Sequence, residues 1–188
     1  MSTTGTGTTE LTDAMQFSNR YGLDVTIKEY GTTGTVAALV PFANECSLSL
    51  TSDITWATGG TNASKIIGFH NPIEGTFKIT TQVITDDLIE IIANAATGTD
   101  GIVFSNNPKA NTKYYVIEAT TVWKDKAGTA KSELITIHKA MPKRAYNITY
   151  NGSGDPVKID IEFELLGDVQ TDGSEKVVTV KKTAVSGS

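Results

Sequence analysis

His70, His138 and Cys46 are the natural places to look for chemistry in this 188-residue chain. Zinc needs several sulfur or imidazole ligands at close spacing. Neither histidine sits in such a motif, and a single cysteine makes no Cys-x-x-Cys pair. Nor does either histidine lie in a recognisable nucleophile motif, although triad partners need not be close in sequence. Both read as surface or satisfied core residues. Cys46 lies in Cys46-Ser47-Leu48-Ser49-Leu50, whose alternation places it on one strand face with two leucines. It reads as a small buried hydrophobe, because nothing beside it would lower the thiol pKa. Being alone, it forms no intramolecular disulfide.

Other chemistry-bearing patterns are equally thin. Gly31-Thr32-Thr33-Gly34 and Gly59-Gly60 lack the lysine and following helix that hold a phosphate, so they read as turns. Asp168, Asp172 and Glu175 are a possible weak calcium set, but without the ligand spacing of a calcium loop. Three sequons, at Asn62, Asn147 and Asn151, carry little meaning without a secretion signal. A pair of carboxylates for glycoside hydrolysis is defined in space rather than in sequence, and that possibility stays open. No metal or cofactor is expected, and no acid, base and nucleophile set emerges, so the chain does not read as an enzyme. One charge pattern stands out: Asp160, Glu162 and Glu164 alternate along one strand face. A solvated face accounts for it, but like charges side by side repel, so a face that lines something which must not adhere to DNA is the functional reading.

The elements that position these residues are mostly strands. Threonine is in excess at 29 residues, and its branched Cβ suits a pleated surface. Hydrophobic residues make up 39% and aromatics 7%, with 16 basic against 21 acidic residues and a net charge of -5. That balance argues against a nucleic-acid binder, which needs a basic patch. No window approaches the roughly 18 apolar residues of a membrane span, and residues 1–5 lack the basic start and apolar run of a secretory signal. The protein is therefore expected in the cytosol when made, with no membrane partner.

Residues 1–12 and 184–188 read as a flexible arm and tail around a single domain at 13–183. Within it, Leu23, Val25 and Ile27 alternate with polar neighbours, Val36–Val40 stops at Pro41, and Ile73, Phe77, Ile79 and Val83 share one face of a long strand. The segment 58–62 reads as an exposed loop. Thr85 is a plausible N-cap with Asp86 and Asp87 in the first turn. Leu88, Ile91, Ile92 and Ala95 then form one apolar stripe, which with Gly98 as a stop predicts a helix over 85–97. Tyr115, Ile117, Ala119, Thr121 and Trp123 face one way, and Tyr114, Val116, Glu118 and Val122 the other, a pattern expected of a strand covered on both sides. A turn at 125–128 leads into a strand at 132–139. Tyr146, Ile148 and Tyr150 alternate before a break at 151–156, and Val157, Ile159, Ile161, Phe163 and Leu165 form the cleanest amphipathic strand.

This order of elements resembles the tail tube, or major tail, proteins of long-tailed bacteriophages. Most of the likeness lies between Tyr114 and Asp168: Ala119-Thr120-Thr121-Val122-Trp123-Lys124, then Ala140-Met141-Pro142-Lys143, then Val157 to Asp168. The resemblance implies a mainly β fold, a β-sandwich or barrel of antiparallel strands with a flanking helix, related to the tubes of contractile tails and of type VI secretion. It also implies hexameric rings stacked into a tube within the virion tail. Tape-measure, tail-tip and tail-terminator proteins would be partners, and genomic DNA would pass through the lumen unbound. Such lumens tend to be negative, which would give Asp160, Glu162 and Glu164 a place on the channel wall. The extra immunoglobulin-like C-terminal decoration of some relatives is not expected from the residues that follow Asp168. The alternative is a carbohydrate-binding or adhesin-like sandwich, which usually shows clustered exposed aromatics, whereas Trp56 and Trp123 are far apart in sequence.

Overall fold

The computed structural model describes residues 16–18, 23–32, 35–41, 43–59, 64–82, 84–93, 95–99, 101–104, 113–125, 130–143 and 157–184. Their strands are β1 (Gln16–Ser18), β2 (Asp24–Glu29), β3 (Val36–Val40), β4 (Glu45–Thr51), β5 (Ile54–Gly59), β6 (Ser64–His70) and β7 (Glu74–Thr81). After helix α1 (Asp86–Ala93) come β8 (Ala95–Gly98), β9 (Gly101–Phe104), β10 (Tyr115–Asp125), β11 (Ala130–Pro142), β12 (Ile159–Leu165), β13 (Asp168–Val169), β14 (Glu175–Lys176) and β15 (Val178–Ala184). Among the described residues the protein is mainly β, as its threonine-rich, alternating sequence implies, with one short helix, and every strand pairing is antiparallel. The expected arm at 1–12 and residues 185–188 of the expected tail lie outside the described residues, as do Val83, Tyr146–Tyr150 and the break at 151–156.

Nine strands form one sheet in the order β3-β2-β10-β11-β12-β7-β4, with β1 added beside β10 and β15 beside β11. Its two ends are joined by a very short link. Val40 ends β3 at one edge and Glu45 begins β4 at the other. Five Cα steps reach at most about 19 Å, whereas seven flat strands would separate those edges by about 29 Å. The sheet must therefore curl. Residues of the link tie both ends: the Ala43 N–H donates to the Leu23 carbonyl and the Asn44 N–H to the Thr80 carbonyl, each at 2.9 Å. No ladder joins β3 to β4, so the sheet remains open and does not close into a barrel.

The concave face collects the apolar half of each alternation. Val25 and Ile27 of β2, Ile117 of β10, Ile137 of β11, Ile159, Ile161 and Phe163 of β12, and Phe77 and Ile79 of β7 are all essentially fully buried in one core. On β12 burial alternates along the whole strand, matching its amphipathic sequence. The second face of β10 stays half-exposed, with a Lys28–Glu118 ion pair of 2.8 Å on it. That strand is flanked by β2 and β11 rather than covered by a second layer.

The helix starts where its cap predicts. The Leu88 N–H donates to Thr85 Oγ1 at 3.3 Å and the Ile89 N–H to the Thr85 carbonyl at 3.0 Å. Leu88, Ile91 and Ile92 enter the core. The helix ends at Ala93 rather than at 97, because Ala95–Gly98 pairs with Gly101–Phe104 as a small hairpin. Gly98 thus ends a strand, and Gly101, at φ 113°, supplies the left-handed backbone that the turn requires.

Candidate assembly surfaces

Strands β4 and β7 pair from Glu45↔Thr80 to Thr51↔Glu74. Beyond that point the chain does not turn back. The same two strands, after a short break, continue outward as the β5–β6 ribbon, pairing from Ile54↔His70 to Gly59↔Ser64. Side chains bridge the break: Ser52 Oγ donates to the Asn71 carbonyl at 2.8 Å, and Thr55 Oγ1 to Asn71 Oδ1 at 3.0 Å. The Asn71 N–H donates to the Asp53 carbonyl, also at 2.8 Å. The sequence reading of 58–62 as a loop is corrected here, since Thr58 and Gly59 belong to β5 and only 60–62 fall outside the described residues.

This ribbon is apolar on both faces. On one face Trp56 lies across Gly68, where a Cβ would come within 3.1 Å of the indole, and Lys65 Nζ sits over the same ring at 5.0 Å. Ile54 shares this face. A register shift between Ala57 and Thr58 puts Ile66 and Ile67 side by side, and Ile67 faces Ala57. Exposure of Ile66 is 64%, of Ile67 53%, of Phe69 57%, of Ile54 43% and of Trp56 43%. A two-stranded ribbon is only marginally stable in water by itself. Covering five such half-exposed side chains is worth on the order of 5 kcal/mol before the costs of association. Sequence reasoning missed this surface. The available signal was Ile66-Ile67-Gly68-Phe69 opposite Ile54 and Trp56, where neither face is left polar.

The acidic strand face lies where its alternation puts it, on the side of β12 away from the core. Asp160 and Glu164 are exposed and Glu162 half-exposed. The registers align three rungs across the sheet: Glu45, Thr80 and Asp160; Ser47, Lys78 and Glu162; Ser49, Thr76, Glu164 and Met141. Two of the acids have basic partners. Lys78 Nζ lies 2.8 Å from Asp160 Oδ2, and Thr80 Oγ1 donates to Asp160 Oδ1 at 2.7 Å. Lys143 Nζ donates to Glu162 Oε1 at 2.6 Å. The hydrogen bond from Lys78 holds the Asp160 carboxyl below its ordinary range, with help from Thr80, and the same bond raises Lys78. Lys143 is raised in turn by Glu162. The face is therefore acidic but interleaved with two lysines, a compensation that only strand order reveals.

The remaining sequence candidates do not converge. Cys46 and Leu48 pack half-buried against the core, whereas Leu50 at the ribbon's base is 45% exposed. Burial first, then Glu45, pushes the Cys46 thiol up to about 12. His138 Nε2 meets Thr179 Oγ1 at 2.7 Å, and His70 is on the ribbon, strands away. Asp168 accepts from Tyr30 Oη at 2.6 Å and from Gln170 Nε2 at 2.8 Å, while Asp172 accepts from the Ser174 N–H and Oγ. Among the described residues no three His, Cys, Asp or Glu side chains gather as a metal site, and no helix is long and apolar enough to cross a membrane.

No family model matches the sequence, and no curated protein does. Two solved structures align over most of the chain. A crystal structure of Hcp protein aligns over 86% of this chain and 99% of its own at 11% identity, but with a TM-score of 0.37, too low to carry weight. A chain in the cryo-EM structure of the anti-feeding prophage baseplate, six-fold symmetrised, aligns over 85% of this chain and 91% of its own, at 8% identity and a TM-score of 0.50. In fold, this open, curled sheet with a single helix is similar to that component of a prophage baseplate.

Proposed function

We propose that the chain is a structural subunit of a bacteriophage tail tube, which associates with copies of itself into six-membered rings stacked as a conduit for DNA. The observation that carries this reading is the β5–β6 ribbon, which exposes large apolar side chains on both faces and needs a partner to cover them. The fold likeness to a component of a six-fold symmetrised prophage baseplate supports the setting. In this reading the ribbon of one subunit packs on another, and the protein does no chemistry of its own. The Asp160, Glu162 and Glu164 face lines the channel, where a like-charged wall keeps phosphates from adhering. Tape-measure, tail-tip and tail-terminator proteins are its partners, and the virion tail is its place.

The carbohydrate-binding alternative gains nothing from the fold. Trp56, the aromatic best placed for a sugar platform, lies across Gly68 and beneath Lys65. The test is negative-stain microscopy with light scattering on concentrated protein, comparing the wild type with an Ile67→Asp/Phe69→Ser double variant. Rings or tubes of constant width are expected from the wild type and none from the variant, with unchanged thermal stability. Monomers from the wild type, even with a tail tip added as a nucleus, would overturn the proposal.

A further inference from the structure

Strand β11 is thirteen residues long, and two different strands share its outer edge. Near its end Ala140, Met141 and Pro142 pair with β12. From Lys131 to Ile137 the partner is β15, in the register Lys131↔Ala184 to Ile137↔Val178. These two edge partners are built very differently. β12 buries Ile159, Ile161, Phe163 and Leu165. β15 is exposed at every position from Thr179 to Thr183, and Val180, opposite Ile135, is 50% exposed. Val177, just before it, and Val178 at its start lean on the core. Across this ladder Lys182 Nζ stands 3.7 Å from Glu133, which is buried and whose Oε2 accepts no hydrogen bond, while Thr179 Oγ1 meets His138 Nε2 at 2.7 Å.

The segment leading into β15 is firmly clasped. The Leu166 N–H donates to the Lys139 carbonyl at 2.9 Å, Tyr30 Oη donates to Asp168, and Lys139 Nζ lies over the rings of both Tyr30 and Tyr114, at 5.1 and 4.7 Å. Between clasp and strand, residues 171–176 are all exposed and turn at Gly173, whose φ is 81°, in a small hairpin that pairs Asp168 with Lys176 and Val169 with Glu175. A fixed anchor, an exposed turn and a shallowly buried strand together make a swinging arm. Any strand that leaves β11 uncovers its backbone donors and acceptors, and these must be paired again. An identical strand from a second copy restores every bond at the cost of the hinge alone.

We propose that β15 is an exchangeable strand: in the isolated subunit it closes the Lys131–Ile137 edge of its own β11, and on assembly it is traded for the β15 of a neighbouring copy. This rests on the self-assembly reading above, and one experiment separates the two. Ser132 and Thr183 are directly opposed in the ladder, at a spacing a disulfide can span. A Ser132→Cys/Thr183→Cys variant in a Cys46→Ser background is oxidised either before or after assembly. Oxidation first is expected to lock the strand in place and block assembly until a reductant is added. Oxidation of assembled material is expected to give a ladder of covalent multimers on a non-reducing gel. Assembled material that yields only internally linked monomers would overturn strand exchange and leave the assembly reading standing. If the wild type forms no assembly at all, both fall.

Hydrogen exchange on the unassembled wild type needs no variant. The β15 amides are expected to exchange at least tenfold faster than those of β7 and β12. Equal protection in all three strands would overturn the proposal.

Discussion

Burial sets the chemistry of the single cysteine. With its thiol pushed up to about 12, Cys46 stays protonated near neutrality and is a poor nucleophile. Tyr115, on the core face of β10, is likewise raised to about 12, by burial first and then by Glu29 and Glu90. The sign for stability follows from linkage. The unfolded chain loses these protons from the ordinary values of 9.0 and 10.0, whereas the folded chain keeps them until about 12. Rising pH across that window therefore favours the unfolded state. Urea midpoints are expected to fall between about pH 8 and about pH 11, and Cys46→Ser should remove part of the fall; a flat profile would contradict the burial of both groups. Asp160 acts at the opposite end, since its depressed carboxyl contributes stability that is lost as the pH falls through its folded value. Its exposure keeps that contribution below about 1 kcal/mol.

At the scale of elements, local signals succeed where the cause is local. Thr85 caps α1 because its hydroxyl accepts from the Leu88 N–H at 3.3 Å, three residues on. Thr85→Ala is expected to cost about 1 kcal/mol in urea denaturation, and Thr85→Ser to cost far less. A loss shared equally by both variants would mean that the cap bond carries no weight. The C-terminal end of the same helix falls short of the 97 that the apolar stripe predicts, because Ala95 continues the stripe while a four-residue strand claims it. Hairpin pairing with Gly101–Phe104 outweighs another helical turn. The ribbon shows a related limit: Ile66-Ile67-Gly68-Phe69 opposite Ile54 and Trp56 leaves neither face polar, but only the fold shows that these side chains stay exposed.

For the whole molecule the decisive feature is curvature. The link between Val40 and Glu45 draws the outer edges of the sheet toward each other, so the concave side chains meet in one core and the polar half of each alternation is turned outward. The row of Asp160, Glu162 and Glu164 stands on that outer side, interleaved with Lys78 and Lys143. Replacing the three acids by Asp160→Asn, Glu162→Gln and Glu164→Gln would remove the ion-pair partners of both lysines. Assemblies of this variant are expected to retain double-stranded DNA at low salt and release it as salt rises, while wild-type assemblies do not bind it. Equal, negligible retention by both would remove the channel assignment of this face without touching self-assembly.

The amino-acid sequence by itself determined which side of the alternating strands is apolar, where the helix begins and that the chain is built mostly from strands. These properties depend on a period of two, a period of 3.6 and a cap, all read within a few residues. Tertiary structure decided the rest. That β12 lies between β11 and β7, that lysines from β7 and from beyond β11 reach its acids, and that β15 shares an edge with β12 all follow from backbone pairing between distant segments. Backbone donors and acceptors are the same at every residue except proline, so side-chain patterns fix a strand's face but not its neighbour. Exposure is likewise relational: Ile161 and Ile67 are the same residue type in similar strand patterns, yet one lies in the core and the other in solvent, because only one has a sheet curled around it.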